Sequence, residues 1–155
     1  MRLWHKSLID VLPDKQLISQ WREIVCISIR LAKIGSPNHI LVNRMLEYPI
    51  DHFYSYTELL VLPEIKRRGY QISFDAWNKF AENLNRFSGK DIYEVIGFNE
   101  LFQGWHSTRY LQQCLLNLEE KYDAGGIDLK DWFAIVNKVK GMSELCQETF
   151  DSLFV

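Results

Sequence analysis

Twenty consecutive residues, Lys15 to Ile34, contain neither glycine nor proline, and they stand between Pro13-Asp14 and Gly35. Asp14 is a competent N-cap and Gly35 a competent stop, so the stretch is predicted to form one helix. At about 100° per residue, Leu17, Ile18, Trp21, Ile24, Val25, Ser28, Ile29, Leu31 and Ala32 fall in one arc about 160° wide, the apolar face of a core helix. Glu23 lies outside that arc with Ser19, Cys26 and Arg30, and Arg22 stands at its border. An acid and a base therefore flank a buried wall. Any site should be sought there, although solvated charges on an amphipathic helix would give the same pattern.

The rest of the chain reads as further helices. An irregular or extended arm, residues 1–13, carries Leu3, Leu8, Ile9, Val11 and Leu12 as anchors to the core. A short helical piece is expected from His39 to Glu47, and Asp51 is placed to cap a helix from His52 to Arg68, kinked at Pro63 because proline removes a ladder hydrogen bond. Ser73 opens a helix that ends at Ser88-Gly89. A less regular segment, Lys90 to Trp105, precedes a helix from Ser107 to Tyr122, another capped by Asp128 that runs through Val139, and a last one starting at Ser143. No stretch shows sustained period-two alternation, so the fold class is all-α, with about six to seven helices in a single compact domain spanning 1–155. A length of 155 residues suits one such core.

Charge divides that domain. Residues 1–72 hold 10 Lys and Arg against 7 Asp and Glu, whereas residues 73–155 hold 8 against 13. The 14–72 stretch is therefore a basic half in which a site is expected, and 73–155 an acidic half. Cys26, Cys114 and Cys146 are odd in number and widely spaced, which argues against a disulfide framework and for reduced thiols in a cytoplasmic protein. No signal peptide or membrane span is read from the sequence.

Most enzyme classes lack their residues here. His5, His39, His52 and His106 have no ligand spacing, so no metal site is expected. There is no glycine-rich phosphate loop, nucleophile elbow or CxxC pair, and Cys26 beside Arg22 and Arg30 is either an activated thiol or a helix residue at the polar border. What remains is Glu23, the arginines near it, and an amino terminus that the apolar arm can hold beside them. An α-amino group, with a reference pKa of about 7.7 to 8.0, is unprotonated part of the time and can attack a sugar C1' carbon to leave an imine. A neighbouring carboxylate can move protons and drive elimination of the 3' phosphate, while arginines hold the flanking phosphates. That chemistry requires only Met1, Glu23 and a basic rim.

Arg2-Leu3, then Leu17 followed by Trp21-Arg22-Glu23, resembles the start of the pyrimidine-dimer DNA glycosylase/AP lyase family typified by phage endonuclease V. In that family an arginine follows the nucleophilic residue, and an aromatic-Arg-Glu triplet lies on the first long helix. Met1-Arg2-Leu3-Trp4-His5 through Leu12-Pro13 is similar to the bacterial branch. Asp51 through Lys66-Arg67-Arg68-Gly69-Tyr70 is similar to the family's helix ending in Lys-Arg-Gly-aromatic, and Leu118-Glu119-Glu120-Lys121 to its Leu-Asp-Glu-Lys.

The resemblance implies an enzyme that binds double-stranded DNA at cyclobutane pyrimidine dimers or abasic sites. It would cut the glycosidic bond of the 5' base and then nick by β-elimination without a cofactor. On that basis the Met1 amine is the nucleophile, Glu23 the acid/base carboxylate, Arg22 a phosphate and substrate clamp, and Arg2 a contact beside the amine. The family's further arginine, one turn after the glutamate, is Cys26 here. Arg30 lies about 20° from Glu23 on the wheel but roughly 10 Å further along the axis, and is the candidate replacement as a DNA contact. The residues alone also permit a non-catalytic helical module that binds nucleic acid or a protein partner through the basic half. Several residues keep two readings. Lys66-Arg67-Arg68 is a favourable helix end or a phosphate clamp; His106 and Arg109 are a core-packed helix start or nucleic-acid contacts. Trp21, Trp77, Phe80 and Tyr110 are expected in the core, and His39 and Asn43 are candidate polar pocket contacts.

Overall fold

The computed structural model describes residues 1–142, and the helix expected from Ser143 lies outside them. Six α-helices succeed one another: α1 (Asp14–Ile34), α2 (Ile50–Ser55), α3 (Leu62–Arg67), α4 (Phe74–Ser88), α5 (Thr108–Asp123) and α6 (Leu129–Lys140). Short 3-10 turns cover Lys6–Val11 and Asn43–Glu47, and no strand occurs among the described residues. The chain is all-α, and no described helix is long and apolar enough to cross a membrane.

Helix α1 ends as expected, with Gly35 in the left-handed region at φ 74° and its N–H donating to the Leu31 carbonyl. Its start differs. The capping position is Pro13, and the Asp14 carboxylate instead accepts from Arg68 Nη1 at 2.9 Å and Tyr70 Oη at 2.7 Å. A cap preference is overridden here by partners more than fifty residues away. The buried face comprises Leu17, Gln20, Trp21, Ile24, Ile27, Ser28 and Leu31, while Ile29 is 39% exposed. The core side is thus rotated toward Gln20 and Ile27, which brings Glu23 to its edge. Helix α4 covers α1 with Phe80 edge-on to Trp21, their ring centres 5.9 Å apart.

The predicted helix over 52–68 is one rod of three segments, α2, a π-turn at Tyr56–Val61, and α3. Proline cannot donate to the ladder, and its ring would meet the carbonyl four residues back. The widened turn, in which the Leu62 N–H donates to the Thr57 carbonyl, lets Pro63 fall in the first turn of α3, where a missing donor costs least. Asp51 is not the cap of this rod. Pro49 holds that position, and the buried Asp51 carboxylate binds Lys90 Nζ at 2.9 Å and the Glu94 N–H at 2.6 Å, tying α2 to the segment after α4. Ser73, Ser107 and Asp128 do cap α4, α5 and α6, each side chain accepting an N–H three residues on. Of the residues expected in the core, Trp21, Phe80 and Tyr110 are buried; Trp77 is 38% exposed because its indole N–H reaches outward to Glu58.

Lys66-Arg67-Arg68 resolves as a helix end. Glu64, itself buried, accepts from Arg67 Nη2 at 2.6 Å and Arg68 Nε at 2.8 Å, and Arg68 also donates to the Leu12 carbonyl at 2.6 Å. The arm is held rather than loose. Leu3, Leu8, Ile9 and Leu12 are buried, and His5 and His106 stack with ring centres 5.2 Å apart. His5 Nδ1 accepts from the Ser7 N–H, His106 Nδ1 accepts from the Lys6 N–H, and His5 Nε2 meets the His106 carbonyl at 3.0 Å. Both rings are therefore neutral with the proton on Nε2. His106 thus packs against the core instead of serving as a nucleic-acid contact.

Burial lowers the His5 pKa to about 4 and pushes that of His106 well below its usual value. Between pH 6.5 and 4 the unfolded chain binds protons at these rings that the folded chain does not, so stability rises with pH across that window and is lost as pH falls. His5 alone accounts for about 3 kcal/mol over the window. Urea midpoints should fall between pH 6.5 and 4, and His106→Asn, which keeps an acceptor for the Lys6 amide, should flatten the slope while lowering stability at pH 7. A wild-type profile flat across this range would contradict a neutral buried pair.

Candidate active site

Gln20 sits on α1 one turn before Glu23, and its side chain is completely buried, at 0% exposure. It is satisfied wholly by the arm and one tyrosine. Its Oε1 accepts the Trp4 N–H at 2.7 Å and lies 3.0 Å from the Tyr56 hydroxyl, while its Nε2 donates to the Arg2 carbonyl at 3.0 Å. The Tyr56 hydroxyl, at the start of the π-turn, also lies 2.7 Å from the Trp4 carbonyl, and the Tyr110 hydroxyl on α5 donates to the Leu3 carbonyl. Three elements thereby grip the backbone of residues 2–4. Burial among carbonyls and apolar neighbours raises the values of both phenols, so each stays a neutral donor.

The pinned arm ends at Glu23. The Arg2 N–H donates to Glu23 Oε2 at 3.4 Å, and the carboxylate is half-buried at the rim of α1. Met1 nitrogen is one residue further along the chain, so by standard backbone dimensions it lies at most about 7 Å from that oxygen. The two groups form no ion pair, and both residues are half-buried. The Met1 side chain rests against Arg30, whose Nη1 is 3.9 Å from Met1 Sδ and 3.3 Å from the Pro37 carbonyl. Arg30 thus joins the Met1 side chain to the loop that follows α1. The Arg2 guanidinium lies 5.3 Å from the centre of the Trp4 ring and 3.8 Å from Cys114 Sγ. Arg22 is exposed about 100° round α1 from Glu23, and no described residue engages its side chain.

Arg109, a nucleic-acid contact in one of its two readings from the sequence, is joined here by Arg44, Ile40 and Leu41, which the sequence did not single out. The N-terminal turn of α5 and the 3-10 turn after Val42 bring Arg109 and Arg44 to a cavity of about 340 Å³, walled also by Ile40, Leu41, Trp105 and Tyr110. Tyr110 joins this cavity to the arm. Among the described residues, Arg2, Arg22, Arg30 and Arg109 form no ion pair with a carboxylate, whereas Arg67, Arg68, Lys90 and Lys138 all do. The arginines named for the site are therefore free of carboxylate partners. Cys26 is exposed and Cys114 buried, and neither is in a disulfide. His39 and Asn43 do not line the site; they brace their own loop, Asn43 Oδ1 accepting the His39 N–H at 3.1 Å. Among the described residues no cluster of His, Cys, Asp or Glu is arranged to hold a metal ion.

The arm thus brings the Arg2 N–H to Glu23 and the Met1 side chain to Arg30, and a sequence model of the pyrimidine dimer DNA glycosylase family matches residues 1–78. The chain belongs to that family. No curated protein and no solved structure matches it. In this member of the pyrimidine dimer DNA glycosylase family, the matched span runs from the arm to the first turn of α4. It therefore holds Met1, Arg2, Gln20, Glu23, Arg30 and Tyr56, while α5 with Arg109, Tyr110 and Cys114 lies beyond it.

Gln20→Leu keeps the volume but strands the Arg2 carbonyl and the Trp4 N–H, at about 1–3 kcal/mol for each buried group left unpaired. Amide hydrogen exchange should show the Trp4 N–H exchanging at least about tenfold faster than in the wild type, beyond any change in the most protected amides of α1. An unchanged Trp4 amide would mean that Gln20 does not hold the arm.

Proposed function

We propose that this family member excises the 5' base of a cyclobutane pyrimidine dimer in duplex DNA and then nicks the strand, using the Met1 α-amine as nucleophile and Glu23 as the proton-transferring carboxylate. The observation that carries the reading is the arm held by Gln20, which sets the Arg2 N–H against the Glu23 carboxylate and so keeps the Met1 amine one residue away. The amine attacks C1', and the electron pair of the glycosidic bond leaves with the base. Glu23 takes a proton from the attacking nitrogen and passes it to O4' as the sugar ring opens, which leaves a protonated imine between C1' and the Met1 nitrogen, while the departed base takes its proton from solvent. Glu23 then removes a proton from C2', and the electron pair so released expels the 3' phosphate. Water hydrolyses the imine and restores the amine. No cofactor has a role in these steps.

Arg30 and Arg22 are assigned to the phosphates that flank the lesion, and Arg2 to the strand beside the amine, because guanidinium groups without carboxylate partners are free to take a phosphate. The Arg2 N–H on Glu23 keeps the Met1 nitrogen within about 7 Å of the carboxylate, a separation that a sugar carbon held between the two groups would span.

The test is borohydride trapping on a duplex bearing one thymine dimer, with protein whose free Met1 amine has been verified by intact mass. Wild type should give a covalent adduct and a nick. Acetylation of the terminus should abolish both, and Glu23→Gln should slow nicking by about 10²-fold or more while leaving affinity for the dimer duplex within a few-fold. An adduct on abasic duplex alone would point to a lyase that acts after another lesion's base is lost. Absence of any adduct would favour a module that only binds DNA.

Salt dependence checks the arginine assignments separately. Arg30→Ala should weaken binding to damaged duplex and reduce the slope of log K against log salt by about 0.9, the share of one phosphate. A slope identical to wild type would remove Arg30 from the interface.

A further inference from the structure

The loop between α1 and the 3-10 turn at Asn43–Glu47 is built stiffly for a surface loop. Asn38 takes a positive φ of 52°, and its N–H is accepted by Ser36 Oγ at 3.0 Å. The Leu41 N–H is accepted by His39 Nδ1 at 3.3 Å, and Val42 and Met45 are sunk into the core behind it. What this frame displays is apolar. Ile40 is 85% exposed and Leu41 49%. A β-branched isoleucine on a braced turn is a rigid apolar tip, and its exposure does nothing for stability.

The tip stands beside the proposed site. The root of its loop, the Pro37 carbonyl, accepts from Arg30, which also touches Met1, and the tip walls the same cavity as Arg44, Arg109 and Tyr110. Tyr110 in turn holds the Leu3 carbonyl. Arg109 has no carboxylate partner, and Arg44 has only the exposed Glu47 at 3.6 Å. Cations beside an apolar tip match phosphates beside stacked bases. The exposed Ile92 and Val95, by contrast, each follow an acid, Asp91 and Glu94, which would repel a phosphate backbone.

We propose that Ile40 and Leu41 are a wedge that enters the base stack of duplex DNA next to the lesion, with Arg44 and Arg109 on the phosphates beside the opened step. Unstacking a step costs a few kcal/mol, and an apolar side chain inserted between the bases offsets part of it. The wedge serves to open a paired helix so that the sugar reaches the amine, and it rests on the reading of Met1 and Glu23 as the site of chemistry.

The test compares wild type with Ile40→Ser/Leu41→Ser, two exposed positions outside the catalytic groups. Single-turnover nicking is measured on a dimer in a fully paired duplex and on the same strand with the dimer in an unpaired bubble. 2-Aminopurine next to the dimer reports unstacking on binding to the paired duplex. The variant should lose about tenfold on the paired duplex and stay within about twofold on the bubble, because the bubble needs no opening. Its complex should also lack the fluorescence rise seen with wild type. Equal rates on both substrates, or equal losses on both, would overturn the wedge and leave the catalytic reading in place. A wild type that raises fluorescence but nicks neither substrate would keep the wedge and remove the chemistry; one that does neither would remove both.

Discussion

One buried side-chain amide, that of Gln20, fixes the relation between the start of the chain and α1. An amide offers a donor and an acceptor on one rigid plane, and here both are matched by the backbone of the arm, the Arg2 carbonyl on one side and the Trp4 N–H on the other. Without a partner, each group would be costly in a core this apolar. The arm therefore has a register as well as an affinity for the core. That register carries the Arg2 N–H to Glu23, three residues along α1 from Gln20. Tyr56 and Tyr110 tie the same three residues to the π-turn and to α5, so the arm joins all the elements that surround the site.

Charge is arranged on the same principle. Acidic residues outnumber basic ones in the chain, yet many of the acids are turned to structural use. Glu64 and Asp14 neutralise Arg67 and Arg68, Asp51 holds Lys90, and Asp10 holds Lys138. The arginines near Met1 are left without such partners. The acidic half does not oppose this, because its contribution to the surface is the N-terminal turn of α5, where the positive end of the helix dipole and Arg109 both face outward. A basic patch can thus arise on a chain with a formal net charge of -2.

Much of the fold was legible because it depends on local signals. Gly35, Ser73, Gly89, Ser107 and Asp128 act where they stand, through left-handed backbone or a cap three residues on. Asp14 and Asp51 looked like caps and are not, since Arg68 with Tyr70 and Lys90 with Glu94 claim their carboxylates from far along the chain. Gln20 was invisible for the same reason. On a helical wheel it is one polar residue among several, and only the arm explains why it is the buried one. The nearness of Glu23 to the chain start could be inferred from the resemblance of Trp21-Arg22-Glu23 and Arg2-Leu3 to a family, and not from periodicity. Arg109 was one of two readings in the sequence, but its meeting with Arg44 and the Ile40–Leu41 tip required the tertiary fold, because these residues come from two halves of the chain with opposite net charge.

The account depends on which nitrogen reacts. The rival amine is Lys6, whose value is lowered chiefly by burial and whose Nζ donates to the carbonyls of Phe98, Asn99 and Leu101, away from Glu23. Tandem mass spectrometry of the peptide carrying a borohydride-reduced DNA adduct would separate the two. A sugar remnant on the α-nitrogen of Met1 is the predicted result. A remnant on Lys6 Nζ, or on any other lysine, would contradict the claim that the arm exists to hold the chain's first amine beside Glu23.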